Sequence, residues 1–206
     1  MALSTVLKSA WAKPVLHLLC LVPLSALVWA AFSDGLGANP VEKLTHETGE
    51  WTLRLLLVTL ALTPLRQWSG EGAWIRFRRM LGLYCYFYCC CHFLIWFIAD
   101  HSLDVGAMFE DIVKRPYITL GFSAFLLLLP LALTSNQAML RRLGRRWKTL
   151  HKLVYPILLL GIAHFLWLVK ADYLEPGIYA IIAGVLLLHR VEPVKRLATR
   201  SFSTAR

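Results

Sequence analysis

Long apolar stretches alternate with short polar segments along nearly the whole chain. Several stretches, such as 84–99 and 118–134, approach the roughly 20 residues that an α-helix needs to cross a bilayer. Glycine- and proline-containing turns separate them, for example at Pro176-Gly177. The pattern predicts an all-α, polytopic membrane protein with one domain over 1–206 and a six-transmembrane-helix bundle. The predicted spans are about 14–32, 49–65, 80–99, 117–134, 150–169 and 176–190.

Composition agrees with a membrane protein and excludes a large soluble part. The 206 residues are 58% hydrophobic and 17% charged, with a mean hydropathy of +0.58. A soluble domain has about 45–50% apolar and ~25% charged residues. Six spans would use about 120 residues. The short loops that remain exclude a separate nucleotide-binding or catalytic domain.

The charged residues predict the orientation of the bundle. The net charge is +10, and 17 of the 22 Lys and Arg lie in the N-terminus, 66–79, 135–152 and 190–206. Ten of the 12 acidic residues lie on the opposite side. The positive-inside rule places the basic loops and both termini in the cytoplasm. The basic charge therefore indicates membrane lipid rather than nucleic acid as the partner.

The N-terminal segment resembles a secretory signal peptide, with lysines before an apolar stretch. We expect it to be retained as the first transmembrane helix.

Two histidines inside the predicted spans are candidates for metal ligation. Both of their spans are predicted to run outward from the cytoplasm. By helix rise, His92 lies about 18 Å from the start of the third span, and His164 lies about 21 Å from the start of the fifth. Two neutral imidazoles at one depth can bind a heme iron from both sides. The alternative is that each histidine only forms a hydrogen bond to a neighbouring helix.

His151 lies 13 residues before His164, about 20 Å lower on the same span. An ideal helix would point these two rings roughly 140° apart. Either Pro156 kinks or unwinds the helix, or each ring faces a different cofactor. Arg78 lies 14 residues before His92, where a lower histidine partner would be expected, and it can contact a heme propionate or a flavin phosphate.

The basic loop 141–148 is a second feature of the cytoplasmic side. It sets the topology, and it also offers a surface to cofactor phosphates or to an acidic electron-donor protein.

Several segments, in this order, resemble one known family, MsrQ (also called YedZ). The resemblance covers about 40–190 and rests on His46-Glu47-Thr48-Gly49-Glu50-Trp51, Thr63-Pro64-Leu65-Arg66, Arg78-Arg79-Met80-Leu81-Gly82-Leu83-Tyr84, Arg115-Pro116-Tyr117-Ile118-Thr119-Leu120-Gly121, the segment 143–155 and His164-Phe165-Leu166-Trp167. The family belongs to the ferric-reductase-like transmembrane superfamily.

The resemblance implies a b-type cytochrome of the bacterial inner membrane, with one or two hemes b and with FMN. Such a subunit passes electrons from a cytoplasmic flavin reductase or from membrane quinol to a periplasmic molybdopterin-containing protein-methionine-sulfoxide reductase. The family's heme-associated histidines match His92, His151 and His164. The chain would then be the electron-transfer subunit of an oxidoreductase, with sulfoxide reduction on its partner.

Two other functions remain open at this stage. One is a stand-alone heme-dependent reductase of ferric iron or quinone. The other is a non-redox transporter with histidines along a polar pathway.

Overall fold

The computed structural model describes residues 2–169 and 172–190, and within these ranges the chain is helical and has no strand. The α-helices are α1 (Ala2–Lys8), α2 (Ala12–Phe32), α3 (Pro40–Ser69), α4 (Arg78–Ile95), α5 (Val105–Lys114), α6 (Pro116–Leu133), α7 (Gln137–Leu143), α8 (Arg145–Leu150), α9 (Val154–Leu168) and α10 (Leu174–Leu188). Short 3₁₀ helices cover Gly72–Phe77 and His151–Leu153, and a π-helical turn covers Trp96–Asp100. The all-α fold is thereby confirmed.

Six of these helices, α2, α3, α4, α6, α9 and α10, occupy the predicted spans. Four helical stretches are long and apolar enough to cross a membrane: Ala12–Phe32, Gly72–Asp100, Pro116–Leu133 and Arg145–Leu168. The apolar α10 is shorter, and α3 carries several charged residues. The count of six spans therefore remains a prediction. The predicted cytoplasmic C-terminus lies outside the described residues, apart from Arg190.

Helix α3 begins nine residues before the predicted second span. The Asn39 side chain accepts a hydrogen bond from the Glu42 amide, and Pro40 occupies the first turn, where its missing N–H costs nothing. The helix ends at Ser69 and is followed by Gly70, whose φ of 70° suits a left-handed cap. The polar early turns of α3 were predicted as a loop because hydropathy alone does not detect them.

The unwinding expected near Pro156 lies slightly earlier in the chain. The 3₁₀ turn His151–Leu153 separates α8 from α9, so His151 and His164 do not share one continuous α-helix. Pro156 lies in the first turn of α9, where proline is tolerated. The predicted angle of 140° between the two rings therefore does not apply.

The long helices pack in two main pairs, α3 with α4 and α6 with α9. The core where they meet includes Leu60, Cys85, Tyr88 and Leu158, all at most 1% exposed. Large apolar side chains are exposed on the outside of α2 and α10, as expected for surfaces that face lipid.

Three short helices occupy segments that were predicted as loops. Helix α5 packs Met108 and Ile112 against aromatic side chains near the end of α4, in the π-helical turn and near the start of α6. Helices α7 and α8 carry the basic residues of 141–148 and meet at Gly144. We call the end of the bundle that carries α7 and α8 the basic end, and the end that carries α5 the acidic end.

Candidate functional site

A cavity of about 540 Å³ lies between α3, α4, α6 and α9 and opens toward the acidic end. Its volume falls within the range of roughly 300–1,000 Å³ that is usual for cofactor pockets. Apolar side chains form its deep walls: Leu53, Leu56, Phe93, Phe122, Phe125, Leu128, Ile157 and Phe165. Polar side chains, including Asn39, His46, Asp100 and Arg115, line the cavity as well.

His92 and His164 both line this cavity, from α4 and α9 respectively. The Nδ1 atom of His92 lies 2.8 Å from the carbonyl oxygen of Thr45 in α3. The Nδ1 atom of His164 lies 2.7 Å from the carbonyl oxygen of Tyr117 in α6. Each ring is therefore held by the main chain of a neighbouring helix.

These two hydrogen bonds fix the tautomer of each neutral ring. A carbonyl oxygen can only accept, so each Nδ1 carries the proton and donates it. In a neutral imidazole the other nitrogen, Nε2, then keeps its lone pair. Neither Nε2 has a hydrogen-bond partner among the described residues. Both histidines are thus prepared as metal ligands, with the outer-shell partner that ligating histidines usually have.

A glycine makes room for each ring. A Cβ atom on Gly49 would lie 3.0 Å from Nδ1 of His92, and one on Gly121 would lie 2.9 Å from Nδ1 of His164. Gly49 follows Thr45 by four residues, and Gly121 follows Tyr117 by four. In a helix, the Cβ of a residue points back toward the preceding turn, where the carbonyl that accepts the bond lies. Only glycine allows an imidazole to approach that carbonyl so closely.

The distance between the rings fits a single metal bound from two sides. Their centroids are 6.2 Å apart, with an angle of 80° between the ring planes. A metal–nitrogen bond of ~2.0–2.1 Å on each side, plus about 1 Å from nitrogen to centroid, gives about 6 Å. Two imidazoles leave the other ligand positions to a group that brings its own donors, as a porphyrin does. The residues present therefore fit a heme.

His151 does not line this cavity. Its Nε2 atom lies 3.1 Å from the hydroxyl oxygen of Thr134, and its ring stacks on Trp147 with centroids 3.8 Å apart. The structure therefore brings together His92 and His164 of the three predicted heme histidines, and places His151 at the basic end.

Arg78, the fourth predicted cofactor residue, also lies at the basic end. It begins α4, is half-buried, and has Arg190, Tyr155 and His151 as electrostatic neighbours. It forms no hydrogen bond or ion pair with any other described residue. The cation is therefore available to an anionic group.

The sequence-based site lacked four contributors: the carbonyls of Thr45 and Tyr117, and the two glycines. Main-chain carbonyl partners cannot be recognised from residue types. The two glycines could have been recognised, because Gly49 and Gly121 both fall within segments that carry the family resemblance.

We predict that Gly49→Ala and Gly121→Ala weaken cofactor binding by about 10–100-fold, the usual cost of losing an outer-shell partner. The added methyl group displaces the imidazole from its carbonyl. Heme retained per chain after purification, with stability of the heme-free protein measured in parallel, checks this.

Gly161→Ala is the matched control. Gly161 also lines the cavity, but the nearest atom to its added Cβ, Leu53 Cδ1, is 3.9 Å away. Alanine favours a helix over glycine by about 1 kcal/mol, so none of the three variants should lose helical stability for local reasons. Equal heme retention in all three would contradict the role of the two glycines.

The sequence matches one family model and several known proteins. The family model of the ferric reductase like transmembrane component matches residues 48–162, which include both glycines and His92. The protein-methionine-sulfoxide reductase heme-binding subunit MsrQ of Xanthomonas axonopodis pv. citri (strain 306) is 52% identical over 201 residues, covering 95% of this chain and 91% of that protein.

A relative with the same name from Herminiimonas arsenicoxydans is 50% identical over 182 residues, covering 87% of this chain and 84% of that protein. No solved structure matches. Identity at this level over nearly the whole length shows that the chain belongs to the MsrQ family, within the ferric reductase-like transmembrane proteins.

Proposed function

We propose that this chain binds heme b between His92 and His164 and relays electrons across the bacterial inner membrane. The observation that carries the proposal is the pair of imidazoles that face one cavity with Nδ1 bonded to main-chain carbonyls. The relatives' name, which specifies a heme-binding subunit, supports it. The chain then acts as an electron-transfer subunit, and sulfoxide reduction takes place on a partner protein.

When bound, heme supplies a one-electron carrier through its iron. The protein supplies the rest. The carbonyls of Thr45 and Tyr117 hold both rings in one orientation, so neither ring needs to rotate when the iron changes charge. The apolar walls of the cavity exclude water and lower the local dielectric, which influences the potential.

The direction of electron flow follows from the two differently charged ends. We propose that the basic end faces the cytoplasm, as the positive-inside rule predicts, and that electrons arrive there from a flavin reductase or from membrane quinol. The exposed cations of α7 and α8 would receive an acidic donor protein. These are Arg141, Arg142, Arg145, Arg146 and Lys148.

His151 and Arg78 would serve this arrival side. The stacked pair of His151 and Trp147 lies next to the basic surface. Arg78, half-buried, can bind the phosphate of FMN or a propionate of a second heme. The second cofactor is proposed from the family resemblance and from this cation, because the described contacts of the His151 ring are with Thr134 and Trp147 and not with a second histidine.

The acidic end would dock the periplasmic molybdopterin-containing methionine-sulfoxide reductase. The cavity opens toward this end, so a cofactor held by His92 and His164 would be near the docking surface. Exposed acidic side chains surround it, and they predict a basic patch on the partner. They are Asp34, Glu42, Asp100, Asp104 and Glu110.

Replacement of single histidines tests the ligation. His92→Ala and His164→Ala should each lose nearly all of the low-spin bis-imidazole signal, because alanine offers no donor to the iron. His151→Ala should keep that signal and instead slow electron delivery or lose a second cofactor. Optical and EPR spectra of membranes that contain each variant provide the measurement.

Retention of the full signal in both His92→Ala and His164→Ala would refute the pairing. If His151→Ala removes the same signal as His92→Ala, then His151 replaces His164 as the ligand. A wild-type protein with no b-type spectrum would favour a transporter, and turnover without a partner protein would favour a stand-alone reductase.

Electron transfer to the partner should depend on salt. Raising the ionic strength from about 0.01 M to 0.15 M shortens the Debye length from roughly 30 Å to 8 Å. Electrostatic steering contributes about 10–10³-fold to association rates, so oxidation of reduced heme by the partner should slow by about tenfold or more. Stopped-flow absorbance measures it, with chemical reduction by dithionite as the control, and an unchanged rate would exclude electrostatic docking.

A further inference from the structure

A charged cluster joins α3 to α10 beside the cavity and has no part in the function proposed above. Arg54 is its centre: Nη2 donates to Glu50 Oε2 at 2.5 Å and to Glu175 Oε1 at 3.3 Å. Nε of Arg54 donates to the Tyr179 hydroxyl at 2.7 Å, and this hydroxyl donates to Glu175 at 3.3 Å. We call these four residues the Arg54 cluster.

Arg54 and Glu50 lie within the predicted second span, whereas Glu175 lies one residue before the predicted sixth span and its side chain is 47% exposed. Arg54 is five residues inside the predicted second span, about 8 Å below its outer edge. The side chains of Glu50 and Arg54 are 16% and 32% exposed. Ionisable groups at such a depth are costly, and they usually mark ion or proton pathways.

Glu50 connects the cluster to both the cofactor and the solvent. It lines the main cavity and directly follows Gly49, the residue that contacts the His92 ring. It also lines a second, open pocket at the acidic end. The other residues of that pocket are Asn39, Glu42, Lys43, His46 and Glu47. A proton can therefore reach Glu50 from the outer aqueous phase without crossing the apolar core.

The charges of the cluster do not cancel. Two carboxylates share one guanidinium, which leaves one negative charge in excess. Glu47 of α3 lies within electrostatic range and adds to the excess, and Tyr179 is the titratable neighbour from α10. His46, on α3, lines both pockets beside Glu50. Carboxylates that share a site readily hold one proton between them.

We propose that Glu50, which shares the Arg54 guanidinium with Glu175, binds one proton from the acidic-end solvent when the heme iron gains one electron. The inference rests on the heme-binding function proposed above. The electron from the cytoplasmic donor takes the iron from ferric to ferrous, and the proton balances the added negative charge. When the electron leaves for the partner, the iron returns to ferric and the proton returns to the solvent.

Coulomb attraction supplies the coupling. A negative charge added to a cavity with apolar walls acts over a longer range than in water. It disfavours the excess carboxylate charge of the cluster and favours its protonated form. By linkage, a protonated cluster favours the reduced heme to the same extent.

A purely structural role for the cluster makes a different prediction. Arg54 also joins α10 to α3, and loss of this contact would change stability without changing how the midpoint potential of the heme depends on pH. A redox-linked proton appears instead as a pH-dependent midpoint potential. The two roles are therefore separable by one measurement.

The test is a potentiometric titration of the heme in the full-length, heme-loaded protein between about pH 6 and pH 9. Wild type should show a midpoint potential that falls as pH rises, with a steepest slope approaching ~59 mV per pH unit, the one-electron equivalent of a tenfold change. Glu50→Gln and Glu175→Gln should reduce this slope at least twofold. Redox-difference infrared spectra should lose a protonated-carboxyl band in both variants.

Glu71→Gln is the control, since Glu71 pairs with Lys8 at the basic end. It should keep the wild-type slope. If Glu50→Gln does not bind heme, Glu175→Gln still decides the question, because Glu175 does not line the cavity. A flat potential in heme-loaded wild type, or an unchanged slope in Glu175→Gln, would overturn this inference alone. Absence of heme from wild type would overturn the proposed function.

Discussion

The candidate site depends on two hydrogen bonds from imidazole to the main chain. His92 reaches the Thr45 carbonyl and His164 reaches the Tyr117 carbonyl, each across a helix–helix contact. A ring can lie on a helix carbonyl only where the residue one turn later has no Cβ, and Gly49 and Gly121 meet that requirement. The packing of α3 on α4 and of α6 on α9 follows the same constraint, because the rings must meet the carbonyls of the neighbouring helices.

The sequence predicted the placement of the two histidines but not what holds them. Rise per residue was enough to bring His92 and His164 to one depth, and their centroids are indeed 6.2 Å apart. The same reasoning could not orient the rings, because their partners are main-chain atoms. It allowed for a kink or an unwinding at Pro156, whereas the 3₁₀ turn that interrupts the span lies slightly earlier, at His151–Leu153. Short helices such as α5 were not predicted, because ten residues are too few to form an apolar stretch that hydropathy detects.

The charged residues distinguish the two ends of the molecule more clearly than the apolar residues do. Exposed cations surround α7 and α8 at one end, whereas most described carboxylates lie at the other end, where the cavity opens. The exception is the Arg54 cluster, where charge enters the bundle itself beside the cavity. The arrangement suits a protein that accepts an electron from one partner protein, holds it in the apolar cavity and passes it to a second partner protein. Proton binding at Glu50 would lower the electrostatic cost of holding it.

The most direct test of the central claim is a structure of the heme-loaded protein, determined by electron cryomicroscopy in a lipid nanodisc. The account predicts iron bound by Nε2 of both His92 and His164, with each Nδ1 still bonded to its carbonyl on α3 or α6. Iron bound by His151, or rings turned away from those two carbonyls, would contradict it.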